Sequence, residues 1–194
     1  MNHRPIAAPD FNGNWADDPV HRVWLQDQAQ AQFAFFRRSL RAAWRFEVMG
    51  LDGTPVPGAV QELHATTRMV HSYALGKLTG APNCDAIIDA GMAFLWQHHR
   101  DSLHGGYVWA VGAEGIADGI KLAYGHVFVL LAAASAKKAG HPDADRMIAD
   151  ISAVLDRHYW DEDHGLLRDE LTRDWQVFST YRGMNANMHG VEAL

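Results

Sequence analysis

The sequence has little of what several classes of protein require. Cys84 is the single cysteine among 194 residues, so no internal disulfide can form, which favours a reducing compartment. The most apolar run, VFVLLAAASA at 127–136, is well below the roughly 20 residues of a membrane span. The N-terminal MNHRPIAAPDFNGNW has no apolar segment of the kind found in secretory signals. These absences predict a soluble, cytoplasmic protein.

Basic runs and the common catalytic motifs are lacking too. The net charge is −6 and no cluster of Lys or Arg occurs, so neither nucleic acid nor a membrane is expected as a partner. No G-x-S-x-G, P-loop or G-x-G-x-x-G motif is present. Twelve histidines include His98, His99 and His104, and also His64 with His71, but no H-E-x-x-H occurs. The sequence therefore predicts no metal site.

The length and an apolar share of 48% predict one globular domain over residues 1–194. Spaced apolar residues and Gly or Pro punctuation predict an all-α chain, with helices at 20–44, 60–79, 84–99, 120–140 and 143–160, and a sixth after a loop at 161–183. The turn-rich segments 47–58 and 105–119 predict short β-hairpin insertions.

An internal repeat with an offset of 60 residues organises these helices. Gly80-Ala-Pro82 returns as Gly140-His-Pro142, and several single residues return at the same offset, namely Ile88 at Ile148, Leu95 at Leu155, His98 at His158, Asp101 at Asp161 and His104 at His164. A period of two helices plus loops is typical of stacked helix pairs. We therefore expect three helical hairpins, with the second, fourth and sixth helices in one layer.

Polar residues occur near the start of each helix of that layer. The second helix has His64 and Arg68, the fourth has Lys121 and Tyr124 in its predicted first turn, and the sixth has Asn185 and His189. Residues four apart share a helix face. Because the three helices are neighbours, these side chains predict one common concave site.

Each of these residues also has a structural interpretation. His189 could be a hydrogen-bonded structural histidine, and Asn185 an N-cap. Arg68 could pair with Glu62 or Asp89 at the surface, and Tyr124 could be a core residue with a tethered hydroxyl. Their occurrence on one predicted layer is what favours a site.

Four segments resemble the N-acylglucosamine 2-epimerase superfamily, and within it the mannose isomerase and sulfoquinovose isomerase branch: ATTRMVHSYALG (65–76), GGYVWAV (105–111), DGIKLAYGHVFVLLAAASA (118–136) and YRGMNANMHGVEAL (181–194). The resemblance implies an (α/α)6 toroid, of which this chain would form half. It also implies interconversion of aldoses and ketoses, or epimerisation at C2, without a metal or an organic cofactor.

The resemblance further implies substrate contacts at Arg68, Tyr124 and Asn185, and an active-site histidine at His189. Histidine suits proton transfer between C1 and C2, and a buried Arg suits the enediolate oxygens. We assign His189 to ring opening or proton handling.

Two further residues complete the predicted site. Members of that branch carry Trp where this chain has His64, which leaves the sugar preference of that subsite open. Glu192, three residues after His189, is predicted to orient its imidazole.

Three functions stay open at this point. The first is a sugar isomerase or epimerase that acts on a free monosaccharide such as mannose, with a second half or a homo-oligomer completing the toroid. The second is a non-catalytic sugar-binding or structural module, because the family's acid/base histidine pair requires the second half. The third is a glycoside hydrolase or lyase, for which Glu114, Asp118 and Asp169 are candidate carboxylates.

Overall fold

A computed structural model describes residues 17–41 and 45–194 of the protein. The described helices are α1 (Pro19–Arg37), α2 (Leu63–Leu78), α3 (Asp85–Phe94), α4 (Ala123–Lys138), α5 (Ala144–Val154) and α6 (Met184–Ala193). The strands, of two to four residues each, are β1 (Leu40–Arg41), β2 (Arg45–Phe46), β3 (Gln61–Glu62), β4 (Ala110–Gly112), β5 (Gly115–Asp118), β6 (Lys121–Leu122), β7 (Trp160–Asp161), β8 (Leu166–Leu167) and β9 (Glu170–Leu171). The predicted all-α class with short β-hairpin insertions is confirmed. The segment 1–16, for which the sequence predicts no secretory signal, lies outside the described residues.

The helices are arranged in two layers. α2, α4 and α6 lie side by side in the inner layer, while α3 packs on α2 and α5 packs on α4 from outside. α4 is buried along most of its length, and Val129 and Ala133 are inaccessible to solvent. The predicted layer of the second, fourth and sixth helices is therefore confirmed. Among the described residues, no helix is both long enough and apolar enough to cross a bilayer.

The first helix is shorter than the apolar spacing predicts. It ends at Arg37 instead of at residue 44, because the chain turns into β1, which pairs antiparallel with β2. None of the residues of α1 is buried. The helix contacts α2 through Phe33, whose carbonyl accepts the Tyr73 hydroxyl at 2.6 Å and whose ring lies 5.1 Å from the Tyr73 ring.

Short strands, and not helical turns, lead into α2 and α4. β3 pairs with β4, which pairs with β5, and β6 pairs with β9. Lys121 is therefore a strand residue, and the prediction that it lies in the first turn of the fourth helix is wrong. Neither helix has a side-chain N-cap. Instead, the Leu63 amide donates to the Trp109 carbonyl at 2.7 Å, and the Ala123 amide donates to the Asp169 carbonyl at 2.8 Å. Loop carbonyls thus satisfy N–H groups that a helix leaves free at its start.

The 60-residue repeat is also a repeat of structure. Gly80 and Gly140 follow α2 and α4 with φ of +88° and +86°, the left-handed conformation that glycine adopts most readily. α3 and α5 both continue into a π-helical turn, at Leu95–His99 and Leu155–Tyr159. The loops that follow are stabilised by buried carboxylates, Asp101 and Asp161, which recur at the same offset.

Asp101 lies at the centre of a buried ionic network. Its carboxylate accepts two hydrogen bonds from Arg173, at 3.0 and 3.1 Å, and lies 3.3 Å from the fully buried Lys121 ammonium. Lys121 also donates to the Gly105 carbonyl at 2.6 Å and lies 4.0 Å from the centre of the Trp175 ring. Burial alone would raise the pKa of Asp101, but the hydrogen bonds and the Lys121 charge outweigh it and hold that pKa well below its usual range.

Asp101→Asn should destabilise the fold by about 3–5 kcal/mol, because the substitution leaves the buried Lys121 ammonium without its countercharge. The folded-state pKa of Asp101 is lowered, so its stabilisation is complete above the unfolded pKa of about 4 and is lost as the pH falls through the folded value. The free energy of unfolding, measured with urea, should therefore decrease more on acidification in the wild type than in Asp101→Asn. The exposed Asp163→Asn is the matched control, and equal unfolding free energies for the two variants would contradict the prediction.

Candidate functional site

The three inner helices place corresponding residues beside one another. Counted from their first residues, the second positions are His64, Tyr124 and Asn185, the sixth are Arg68, Phe128 and His189, and the ninth are His71, Leu131 and Glu192. Contacts between them cross from α2 to α4 and from α4 to α6. We call the surface formed by these nine residues the inner face.

Arg68 and Tyr124 contact each other across the inner face. Nη2 of Arg68 donates to the Tyr124 hydroxyl oxygen at 2.7 Å, and the guanidinium carbon lies 4.9 Å from the centre of the Phe128 ring. Neither carboxylate proposed as a surface partner binds it, since Glu62 lies by His64 and Asp89 by His141. The guanidinium of Arg68 is exposed and is bound through a single N–H in the described part of the chain, so other N–H groups remain available to a ligand.

His189 is fixed by aromatic rings and by one carboxylate. Its ring lies 5.7 Å from the Tyr124 ring and 4.7 Å from the Phe128 ring, measured between centroids. Its Nδ1 lies 2.7 Å from Oε2 of Glu192. A carboxylate only accepts hydrogen bonds, so Nδ1 carries a proton, and in the neutral imidazole Nε2 keeps a lone pair. The contact has the geometry of the predicted orienting role, which stays a prediction.

Asn185 is exposed, and its side chain has no hydrogen bond to another described residue. The N-cap residue of α6 is Gly183, so the capping interpretation of Asn185 is wrong. The Asn187 side chain donates to the Gly183 carbonyl at 2.9 Å and accepts from the Leu167 amide at 2.8 Å. Asn185 is thus available to a ligand, while Asn187 stabilises the start of the helix.

His64 stacks on Trp109, with ring centres 5.1 Å apart and planes inclined by 13°. Its Nδ1 lies 3.4 Å from Oε2 of Glu62, and its ring centre lies 6.2 Å from that of Tyr124. Burial lowers the pKa of His64, the Glu62 carboxylate opposes that effect, and the Arg68 charge adds to it. The net lowering favours a neutral imidazole at this end of the inner face.

A cavity of about 450 Å³ adjoins the inner face at His64 and Arg68. It lies between α1, α2 and the segment after β2, and most of its lining is apolar, including Phe36, Met49 and Met69. The cavity follows the side of α2 that faces away from α4. No sequence pattern indicated it, because it depends on where α1 ends.

The other candidate chemistries find less support in the geometry. His99 is buried, and its Nδ1 donates to the Val108 carbonyl at 3.1 Å, whereas His104 lies 3.3 Å from Asp101. Within residues 17–41 and 45–194, no three His, Cys, Asp or Glu side chains are grouped as a metal site requires. The three carboxylates considered for glycoside cleavage are not hydrogen-bonded to one another in the same ranges: Glu114 and Asp118 are exposed, and Asp169 accepts the Gly183 amide at 3.2 Å.

Phe128, Trp109 and His71 were not predicted as members of this site. Phe128 stands 60 residues after Arg68, so the repeat offset could have identified it. His71 is seven residues after His64, a spacing that also keeps residues on one helix face. Trp109 lies in a loop, and no spacing rule connects it with His64.

The model of the N-acylglucosamine 2-epimerase (GlcNAc 2-epimerase) family matches residues 45–194. The chain belongs to this family. It is 36% identical over 181 residues to a D-mannose isomerase of Thermobifida fusca, a match that covers 93% of this chain and 44% of that protein.

Solved structures of the family share the fold. A crystal structure of D-mannose isomerase superposes with a TM-score of 0.81 at 30% identity, covering 89% of this chain and 46% of the other. Cellobiose 2-epimerase from Bacillus thermoamylovorans B4167 superposes with a TM-score of 0.79 at 16% identity, over 89% and 49%. The predicted half of an (α/α)6 toroid is confirmed, and the chain spans less than half the length of these relatives.

Glu192→Ala should change the tautomer of His189. Without the carboxylate, nothing in the described structure holds the proton on Nδ1, so the Nε2–H form that free imidazole favours should grow. Long-range proton–nitrogen correlation spectra of ¹⁵N-histidine-labelled protein at about pH 8, where imidazoles are neutral, measure this directly. Glu114→Ala, at an exposed position of the β4–β5 hairpin, should leave the His189 signals in place. An unchanged tautomer in Glu192→Ala would show that the carboxylate does not control the ring.

Proposed function

We propose that this chain supplies the inner face of a sugar isomerase or epimerase that acts on a free monosaccharide such as mannose. The observation that carries the proposal is the placement of Arg68, Tyr124, His189 and Glu192 in one connected set. A guanidinium, a phenol hydroxyl and a carboxylate-oriented imidazole are the groups that moving a proton next to a carbonyl requires. The names of the relatives, D-mannose isomerase and cellobiose 2-epimerase, support the same reaction class.

In the aldose-to-ketose direction, a base removes the C2 hydrogen as a proton. The electron pair forms the C1–C2 double bond of an enediolate, and the negative charge moves to the C1 oxygen. Return of the proton to C1, with transfer of the O2 proton to O1, gives the ketose. Return to the opposite face of C2 gives the epimer instead.

Four residues of the inner face have a proposed part in this reaction. Nε2 of His189 has the lone pair that can accept a proton, either in ring opening or at carbon. The free N–H groups of Arg68 stabilise the charge on O1 and O2. The Tyr124 hydroxyl accepts from Arg68, so its own proton remains available to a sugar oxygen, and Asn185 binds a further hydroxyl.

A second half-ring is proposed to complete the site. α6 exposes apolar side chains, of which the most exposed are Met184, Met188 and Val191. The apolar cavity beside α2 lies at the opposite edge of the inner layer. We call these two edges, at α6 and at α2, the seams. Exposed apolar surface of this kind marks an interface. Because the chain spans less than half of its relatives, we propose that the remainder of a longer chain covers these seams, with a second copy as the alternative.

The cellular setting is proposed from one residue. Cys84 is buried and unpaired, and burial raises the pKa of its thiol, which protects it from oxidation. Its surroundings are compatible with the cytoplasmic location that the sequence predicts.

His189→Gln should reduce isomerase activity by at least about 100-fold, because a general acid/base contributes that much or more. Proton NMR of D-mannose in D2O measures it through deuterium incorporation at C1 or C2 and through the appearance of fructose. The chain of 194 residues and a version extended beyond Leu194 to the length of the relatives are compared, with His164→Gln as the control at an exposed histidine.

Three outcomes, measured with mannose and with a glycoside, distinguish the three functions. Deuterium incorporation that depends on His189 supports the isomerase. Mannose binding without exchange in the extended chain would favour a sugar-binding module. Release of a sugar from a glycoside, lost on substitution of Asp169, would favour a hydrolase.

Val191→Cys should react with a thiol reagent in the 194-residue chain and be protected in the extended chain, if the second half covers α6. Cys84 is buried, so the introduced thiol dominates the signal. Asp163→Cys, in an exposed loop, should react in both proteins. Full reactivity of Val191→Cys in both proteins would contradict the proposal that the second half covers α6. Protection already in the 194-residue chain would point to a second copy.

A further inference from the structure

His71 belongs to the inner face but has no part in the proposed chemistry so far. It occupies the ninth position of α2, at the level of Glu192 on α6, and Leu131 of α4 lies between them in the same tier. By the rise of an α-helix, its Cα lies about 10 Å along the axis from that of His64. His71 therefore marks the inner end of the face, beyond Arg68 and His189.

The hydrogen bonds of Ser135 define the tautomer of His71. The Ser135 hydroxyl donates its single proton to the Leu131 carbonyl at 2.8 Å. Its oxygen lies 2.7 Å from Nδ1 of His71 and can then only accept, so that Nδ1 carries the proton. Nε2 of a neutral His71 consequently has a free lone pair, and no described residue hydrogen-bonds to it.

Glu192 supplies a second acceptor in the same tier. Its Oε2 accepts from His189, while no described residue donates to Oε1. Burial lowers the pKa of His71, and the Glu192 carboxylate opposes that effect, so the two groups lie within electrostatic range. Leu131, which packs on the core, gives this end an aliphatic surface between two acceptors.

We propose that His71 and Glu192 form a polyol-binding end of the inner face. Nε2 of His71 and Oε1 of Glu192 each accept a proton from a sugar hydroxyl, and Leu131 contacts the C–H side of the carbon chain. The ligand class is a neutral sugar with neighbouring free hydroxyls, held at the end remote from His64. The inference rests on the proposed function, because it extends the same sugar-binding surface.

Ser135 acts in this arrangement as a positioning residue. It does not reach the sugar; it holds the His71 proton on Nδ1 and so keeps Nε2 as an acceptor. Ser135→Ala should allow the Nε2–H tautomer of His71, which presents a donor in place of an acceptor. Mannose binding should then weaken about three- to tenfold, the usual effect of one lost hydrogen bond.

The test uses ¹⁵N-histidine-labelled protein extended beyond Leu194 to the length of the relatives, titrated with D-mannose. His71→Gln and His189→Gln assign the two sets of signals, and circular dichroism checks that both variants fold. We expect D-mannose to shift Nε2 of both His71 and His189 while the exposed His164 stays unchanged. Ser135→Ala should alter the His71 tautomer in the free protein and weaken the titration by the factor given above.

The outcomes separate this inference from the function on which it rests. A mannose-dependent shift of His189 without one of His71 would overturn the polyol-binding end and leave the isomerase proposal standing. A Ser135→Ala protein with a changed His71 tautomer and unchanged mannose affinity would overturn it as well. Absence of any shift at both histidines would overturn the sugar-binding surface as a whole.

Discussion

α4 has helices on three sides, since α2 and α6 flank it and α5 covers it from outside. Such a helix can tolerate few polar side chains, and residues 127–136 are accordingly apolar apart from Ser135, whose hydroxyl returns to its own backbone. Polar side chains of the flanking helices meet α4 along one boundary, where Tyr124 binds Arg68 and Ser135 binds His71. The inner face lies along this boundary: Tyr124, Phe128 and Leu131 contribute the rings and the aliphatic surface, while the flanking helices contribute the guanidinium, the imidazoles and the carboxylate.

The arrangement of that face depends on hydrogen bonds between its histidines and neighbouring side chains. The Glu192 carboxylate lies against Nδ1 of His189 and the Ser135 hydroxyl against Nδ1 of His71, so each imidazole carries a proton on Nδ1. Each assignment follows from counting donors, because a carboxylate has none and a serine hydroxyl has one. Two histidines with defined tautomers thus face a common surface beside one exposed guanidinium, Arg68, and the surface presents acceptors and donors in a fixed order along the helices.

Helices and site residues that recur at a regular spacing could be predicted from the sequence, whereas strand pairing and loop contacts could not. The offset of 60 residues related the two glycine-ended inner helices to each other and paired His64 with Tyr124. Helix bounds were less accurate where strand pairing competes with helix spacing: Leu40 continues the apolar pattern of α1 yet pairs with Phe46 in a sheet. Lys121 was placed with Tyr124 among the polar residues of the predicted first turn of the fourth helix, but its ammonium lies 3.3 Å from the Asp101 carboxylate in the interior. Trp109 stacks on His64 from a loop, a contact that no local pattern encodes.

The π-helical turns at Leu95–His99 and Leu155–Tyr159 determine the rotation between the helix before each turn and the loop after it. In each, a backbone amide reaches back five residues, as Arg100 does to the Leu95 carbonyl at 2.9 Å, so one more residue is accommodated than in a regular turn. Removing that residue would restore an ordinary helix and rotate everything before it by about 100° relative to everything after it. The buried side of α3 would then turn away from α2, or Asp101 would turn away from Arg173. An insertion or deletion within either of these two segments would therefore force the helix and its loop out of register together.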